Sequence, residues 1–112
     1  MISSDVMRGY HDLMILWVLV QQDSYGYEIS KLIFEHTGGT YTMKETTLYS
    51  AFNRLEKQGY IFSYPGLETH GKRRTYYQMT EAGREYYIDK CKEWHLTKQL
   101  MNQFVKGDEW NE

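Results

Sequence analysis

Residues 45–79 read ETTLYSAFNRLEKQGYIFSYPGLETHGKRRTYYQM, from Glu45 to Met79. The first half has helical spacing: Leu48, Phe52 and Leu55 fall on one face, with Ala51 beside them. The predicted helix runs from about Glu45 to Gln58, and Gly59 supplies the residue that commonly ends a helix in a left-handed conformation. Tyr60–Tyr64 and Arg74–Met79 then read as two strands. Between them, residues 65–73 hold the only proline, two glycines and charged side chains, the composition of a hairpin tip.

Two helices are expected before this stretch. The first spans about Asp5 to Gln21, with Leu13, Leu16, Trp17 and Val20 at helical spacing. The second spans about Ser24 to His36, carries Tyr27, Ile29, Leu32 and Ile33, and stops at Gly38 and Gly39. Asp23 or Ser24 is placed to cap it. Residues 40–43 form a short β-prone stretch. After the hairpin, Thr80 caps a long helix running to about Val105, with Glu81 in its first turn. Three helices closed by a hairpin imply an α+β, mostly α, winged helix-turn-helix over residues 1–79. The remainder, 80–112, reads as a C-terminal dimerisation helix with a short acidic tail (Asp108, Glu109, Glu112). Tyr87, Cys91, Trp94, Met101 and Val105 make an apolar stripe beyond the needs of the core, and an identical copy is the simplest cover for it.

Composition narrows the function. The chain has 112 residues, 41% hydrophobic and 25% charged, which suits one soluble domain with a modest core. No apolar run reaches the roughly 18 residues of a membrane span, and the first residues do not pattern as a signal peptide. A single cysteine, Cys91, leaves no internal disulfide framework, and a cytoplasmic location is expected. The formal net charge is −2, yet Lys72, Arg73, Arg74 and Arg84 crowd a segment whose only acidic residue is Glu81. Such a patch can hold phosphate regardless of distant charges, which are screened beyond about 8–10 Å. The four histidines have no metal spacing, the glutamates form no acid/base pair, and no glycine-rich phosphate loop occurs. Neither catalysis, a metal nor a cofactor is expected, and Cys91 reads as a structural thiol.

The outward positions of the third helix are Thr46, Thr47, Ser50, Asn53, Arg54 and Lys57, residue types that bond to phosphates and base edges. An ordinary solvated face would look the same. The hairpin discriminates better: Lys72, Arg73 and Arg74 follow Gly71 at its tip, placed to grip a backbone or enter a minor groove. Of Tyr76 and Tyr77, one should pack inward.

Four blocks resemble the PadR family of bacterial transcriptional regulators, in its short form with a single C-terminal helix. They are Tyr25-Gly26-Tyr27-Glu28-Ile29; Thr47-Leu48-Tyr49 with Arg54-Leu55-Glu56 and Gly59-Tyr60-Ile61; Gly71-Lys72-Arg73-Arg74-Thr75-Tyr76-Tyr77; and Thr80-Glu81-Ala82-Gly83-Arg84. With their flanking helices they span about Leu13 to Trp94. The resemblance implies a sequence-specific DNA-binding regulator, a homodimeric repressor whose reading helix, Tyr49 included, meets double-stranded operator DNA. It also implies a second role for Trp94. In multidrug-sensing members a matching tryptophan from each subunit stacks on flat aromatic compounds, which would make Trp94, Gly9, Asp12 and Leu13 ligand-binding candidates and a small aromatic molecule the effector. Lys98, one turn on, would oppose cationic ligands. One departure stands out: Lys44 and Glu45 replace the small cap and turn residue usual before Thr-Leu-Tyr. The competing expectation is a winged-helix protein–protein interaction module without DNA binding, which the acidic total favours and the basic hairpin opposes.

Overall fold

A computed structural model describes residues 2–69 and 71–107, with no account of the Glu68 and Thr69 side chains. The elements in chain order are α1 (Ser4–Met7), α2 (His11–Leu19), β1 (Ser24–Tyr25), α3 (Gly26–His36), α4 (Glu45–Lys57), β2 (Ile61–Thr69), β3 (Lys72–Met79) and α5 (Glu81–Asn102). The strands make one antiparallel sheet in the order β1-β3-β2.

The core is centred on α2. Its sequence is apolar on nearly every side, and such a helix must be surrounded rather than laid on a surface. It buries Ile15, Leu16, Val18 and Leu19 against α3, α4, α5 and β3. Ile29 and Ile33 of α3, Leu48, Ala51, Phe52 and Leu55 of α4, Ile61 of β2 and Tyr77 of β3 close the cluster. Phe52 and Tyr77 stack at 4.0 Å between centroids, joining α4 to the hairpin. Stacked pairs of this kind contribute about 0.5–1.5 kcal/mol beyond area burial. As strand alternation requires, Tyr77 is buried and Tyr76 is not.

Several expectations need correction. The first helix is two pieces. Arg8–Tyr10 interrupt it, and the Tyr10 amide turns back to the Met7 carbonyl, three residues away. Residues 40–43 are not a strand; the third strand is Ser24–Tyr25, before α3 rather than after it, where it pairs with Tyr77 and Tyr76. Tyr27 faces solvent, and Ile29 and Ile33 carry the inner face of α3. Asp23 and Ser24 do not cap α3; Ser24 donates instead to Glu28 Oε1 at 2.6 Å. The wing is longer than expected. Pro65 and Gly66 do not open its tip but lie within β2, at a register shift between Pro65 and Glu68. Lys72 and Arg73 therefore join Arg74 on β3 rather than standing in a loop. The last helix ends at Asn102, which leaves Val105 beyond it, and the acidic tail lies outside the described residues.

One joint ties the ends of four elements together. Gly59, at φ +81°, ends α4 in the left-handed region that favours glycine, and β2 begins two residues later. The Thr80 amide donates to the Tyr60 carbonyl at 3.0 Å, and its hydroxyl donates to the Gly59 carbonyl at 2.7 Å. The same hydroxyl caps α5 by accepting from the Gly83 amide at 3.0 Å. Tyr60 stacks on Tyr86 of α5 at 4.2 Å. The closeness depends on Gly83, where a Cβ would sit 2.1 Å from the Tyr60 carbonyl oxygen. Backbone cannot swing aside as a side chain can. Gly83→Ala is expected to destabilise the fold by about 1–3 kcal/mol, the usual range for overpacking. Urea denaturation should register this as a lower midpoint at unchanged slope.

Candidate nucleic-acid interface

The inner stripe of α4 dictates what its outer face presents. With Leu48, Ala51, Phe52 and Leu55 buried, Thr46, Ser50, Asn53 and Lys57 project from the opposite side, all exposed. No side chain caps this helix. Lys44 is the N-cap residue and makes no capping hydrogen bond. Glu45 sets a negative charge in the first turn.

The two flanks of α4 differ. On the wing side, Tyr49 meets Phe52 edge-on at 5.3 Å and lies across Gly26, where a Cβ would come within 2.6 Å of its hydroxyl. Beyond it a cleft of about 500 Å³ separates α4 from the hairpin, bordered by Tyr25, Tyr27, Glu45, Tyr49, Arg73 and Arg74. The three basic residues of β3 are not equivalent. Lys72 and Arg73 are exposed, while Arg74 is half-buried with its guanidinium 4.9 Å over the Tyr25 ring and its Nε without a partner among the described residues. The base of the wing is pinned by Tyr64, whose hydroxyl donates to Asp23 Oδ2 at 2.6 Å. That hydrogen bond is the main reason the Tyr64 hydroxyl is pushed up to about 12.

On the opposite flank lie Thr47 and Arg54. Arg54 is not directed outward as its sequence position suggested. It makes two bonds to Asp12 of α2, Nε to Oδ2 at 3.2 Å and Nη2 to Oδ1 at 2.5 Å. A groove of about 680 Å³ follows this flank, with Arg8, His11, Thr46, Ser50 and Lys90 among its borders. His11 Nε2 is 2.6 Å from the Tyr41 hydroxyl. Burial above all, helped by Arg54, holds the His11 imidazole below its ordinary value, against the pull of Asp12.

The residues expected around Trp94 come together. Gly9, Asp12, Leu13 and Trp94 border one cavity of about 90 Å³, and Leu13, Cys91, Trp94 and Lys98 border a neighbouring one of about 310 Å³. Tyr10, Tyr86, Lys90, Glu93 and Thr97 complete the first. Sequence reading missed these five. Four of them were legible, because Tyr86, Lys90, Glu93 and Thr97 follow helical spacing around Trp94. Tyr10 lies at 6.5 Å from the Trp94 ring, across a contact between elements distant in sequence. Lys98 Nζ sits 5.8 Å from the Trp94 centroid. Of the expected seam residues, Tyr87 packs against its own chain's core and Cys91 is partly buried. Trp94, Met101 and Val105 are exposed, as are Ile88, Leu96, Leu100 and Phe104, which the stripe reading passed over.

Comparison with known proteins identifies the arrangement. The sequence profile of the transcriptional regulator PadR-like family matches residues 15–89. The chain belongs to the PadR-like family. A transcriptional regulator from Clostridium thermocellum has the same architecture, with 61% identity and a TM-score of 0.86 over 95% of this chain and 100% of that one. A PadR family transcription regulator from Clostridium difficile matches at 39% identity and a TM-score of 0.75, over 87% of this chain and 99% of that one. A protein of Lysinibacillus sphaericus is 40% identical over 107 residues, which cover 96% of this chain and 98% of its own. PadR-like proteins are transcriptional regulators, not enzymes. Among the described residues of this PadR-like chain, no group of three His, Cys, Asp or Glu side chains could hold a metal ion, and no helix is long and apolar enough to cross a membrane.

His11 sets a pH dependence whose sign is determined. Its proton is held less firmly in the folded chain than in the unfolded one, so unfolding takes up protons in mild acid. The stability tied to neutral His11 is complete above 6.5 and is lost as the pH falls below 6.5 through the lowered folded value. The melting temperature should drop between about pH 7.5 and pH 5.5, and His11→Gln should flatten that drop. An equal drop in both proteins would assign it to other groups.

Proposed function

We propose that this PadR-like regulator is a homodimeric repressor that binds a palindromic operator in double-stranded DNA. Residues 1–79 form its winged-helix DNA-binding domain and residues 80–112 its dimerisation helix and tail. The observation that carries the reading is the cleft between α4 and β3. It sets the exposed polar face of one helix beside exposed Lys72 and Arg73 on a strand. A major groove admits one helix, and the adjoining strand then meets the phosphates beside it. Thr46, Ser50, Asn53 and Lys57 face the groove, with Thr47 and Tyr49 at its edges. Lys72 and Arg73 hold the backbone. Arg74, stacked on Tyr25, contributes charge while bracing β3 against β1. In a dimer, two such units enter successive major grooves about 34–36 Å apart.

The test is a mobility-shift titration with the gene's own upstream region over a range of salt. Arg73→Ala should weaken binding to all sequences alike and lower the salt slope by about 1, the signature of a lost phosphate contact. Asn53→Ala should relax sequence preference and leave that slope in place. Failure of the wild type to shift this region would leave the protein-interaction reading standing.

The apolar residues of α5 support self-association, and the cavity beside Trp94 supports an effector site. Seven exposed apolar side chains on one projecting segment (Ile88, Trp94, Leu96, Leu100, Met101, Phe104 and Val105) need cover. The effector chemistry is a flat, neutral aromatic compound, because Lys98 already presents a cation to the Trp94 ring. Such a ligand releases the operator by favouring a dimer geometry in which the reading helices no longer match successive grooves. The wild type should sediment as a dimer whose tryptophan fluorescence a flat neutral dye quenches. Trp94→Ala should remain dimeric and lose most of the quenching; a monomeric variant would make Trp94 a seam residue instead.

A further inference from the structure

The Arg54–Asp12 pair joins two elements whose members lie 42 positions apart, and it falls at the edge of the surface assigned to DNA. Both bonds use the Nε/Nη2 edge of the guanidinium. That edge matches a carboxylate in two-point geometry, and it matches two oxygens of a phosphate equally well. Asp12 is the more enclosed partner, with its side chain 18% exposed against 46% for Arg54. It stands in the first turn of α2, where the helix dipole favours a negative charge. The carboxylate is thus fixed, and the arginine is the member that can leave. Thr46 and Ser50 of the outward face border the same groove as Arg54, so a phosphate that meets α4 on this flank passes within the groove that holds the pair.

We propose that Asp12 is a positioning residue that sequesters Arg54 from operator DNA, so that the reading helix carries one more cation than it uses. The inference rests on the DNA-binding reading above. Lys57, on the outward face of the same helix, takes part in none of the ion pairs among the described residues, whereas Arg54 is neutralised within the protein. Asp12 also borders the cavity beside Trp94. The carboxylate that restrains Arg54 is therefore in reach of whatever occupies that cavity.

The test measures the salt dependence of binding to a duplex of the gene's own upstream region, for full-length protein. Asp12→Asn keeps the shape of the side chain and removes its charge. It should steepen the salt slope by about one phosphate contact and tighten binding at low salt. Asp12→Asn combined with Arg54→Gln should return to the wild-type slope, because the gain belongs to the freed guanidinium. Asp12→Glu, which restores the counter-ion, should behave as wild type. The proposal is overturned if the slope of Asp12→Asn is unchanged, or if its gain persists in the double variant, which would trace it to the lost negative charge alone. Thermal melts verify folding for each variant, and Arg54→Gln with Asp12 intact stands as a second probe if Asp12→Asn fails to fold: a fall of about one unit in its slope would show Arg54 already on phosphate and overturn the proposal. A wild type with no salt-dependent binding would instead remove the reading on which the inference rests.

Discussion

The Tyr60 carbonyl is the narrowest point of the structure. It accepts from the Thr80 amide and lies where a side chain on Gly83 would have to go. Through this contact the end of α4, both strands of the hairpin and the start of α5 share one fixed frame. The angle between the reading helix and the wing is set on one side of the joint, and the direction of α5 is set on the other. The proposed reading of two sites by two identical chains would need both angles constant, because a small rotation here is amplified along a helix of 22 residues. The polar bonds of Thr80 specify the direction, and the Tyr60–Tyr86 stack adds an apolar contact that resists its bending.

The two flanks of α4 divide the work around this frame. Toward the wing, aromatic rings and arginines share the cleft, and Tyr25 turns Arg74 into a brace rather than a free cation. Toward α2 and α5, the charges are paired: Arg8 with Asp5, Arg54 with Asp12 and Lys90 with Glu93. The exposed pairs Arg8–Asp5 and Lys90–Glu93 add little stability, typically under about 1 kcal/mol each. Their effect is on the field: they leave one side of the reading helix electrically quiet. A chain with net charge −2 can thereby direct its attraction for phosphate to a limited arc.

Much of this was legible in the sequence because it is local. The period of α4, the glycine after it, the Thr80 cap and the inward turn of one of Tyr76 and Tyr77 each follow from spacing within a few residues. What was misread depends on pairing across the chain. β1 has two residues and exists because β3 runs beside it, so no propensity could announce it. Pro65 and Gly66 look like a turn and become an irregularity inside a strand, because Gly66 leaves room for the Tyr76 ring, against which a Cβ would sit at 2.0 Å. Arg54 looked outward on a helical wheel, yet it lies near enough to the flank for Asp12 to reach. The cavity at Trp94 was half visible: its residues on α5 share a face, while Tyr10 arrives from the interruption between α1 and α2.

The irregular segment of β2 has a further consequence for the protein in a crowded solution. β2 is an outer strand of the sheet, and an outer strand offers unpaired amides and carbonyls to any other extended chain. Pro65 has no amide hydrogen to give a docking strand, and the register shift beside it breaks the even spacing that such a strand would need. Leu67, the most exposed large apolar residue described, stands on this disrupted stretch, where a neighbouring strand gains little from it. The feature that hid the length of the wing in the sequence is also its protection against aggregation.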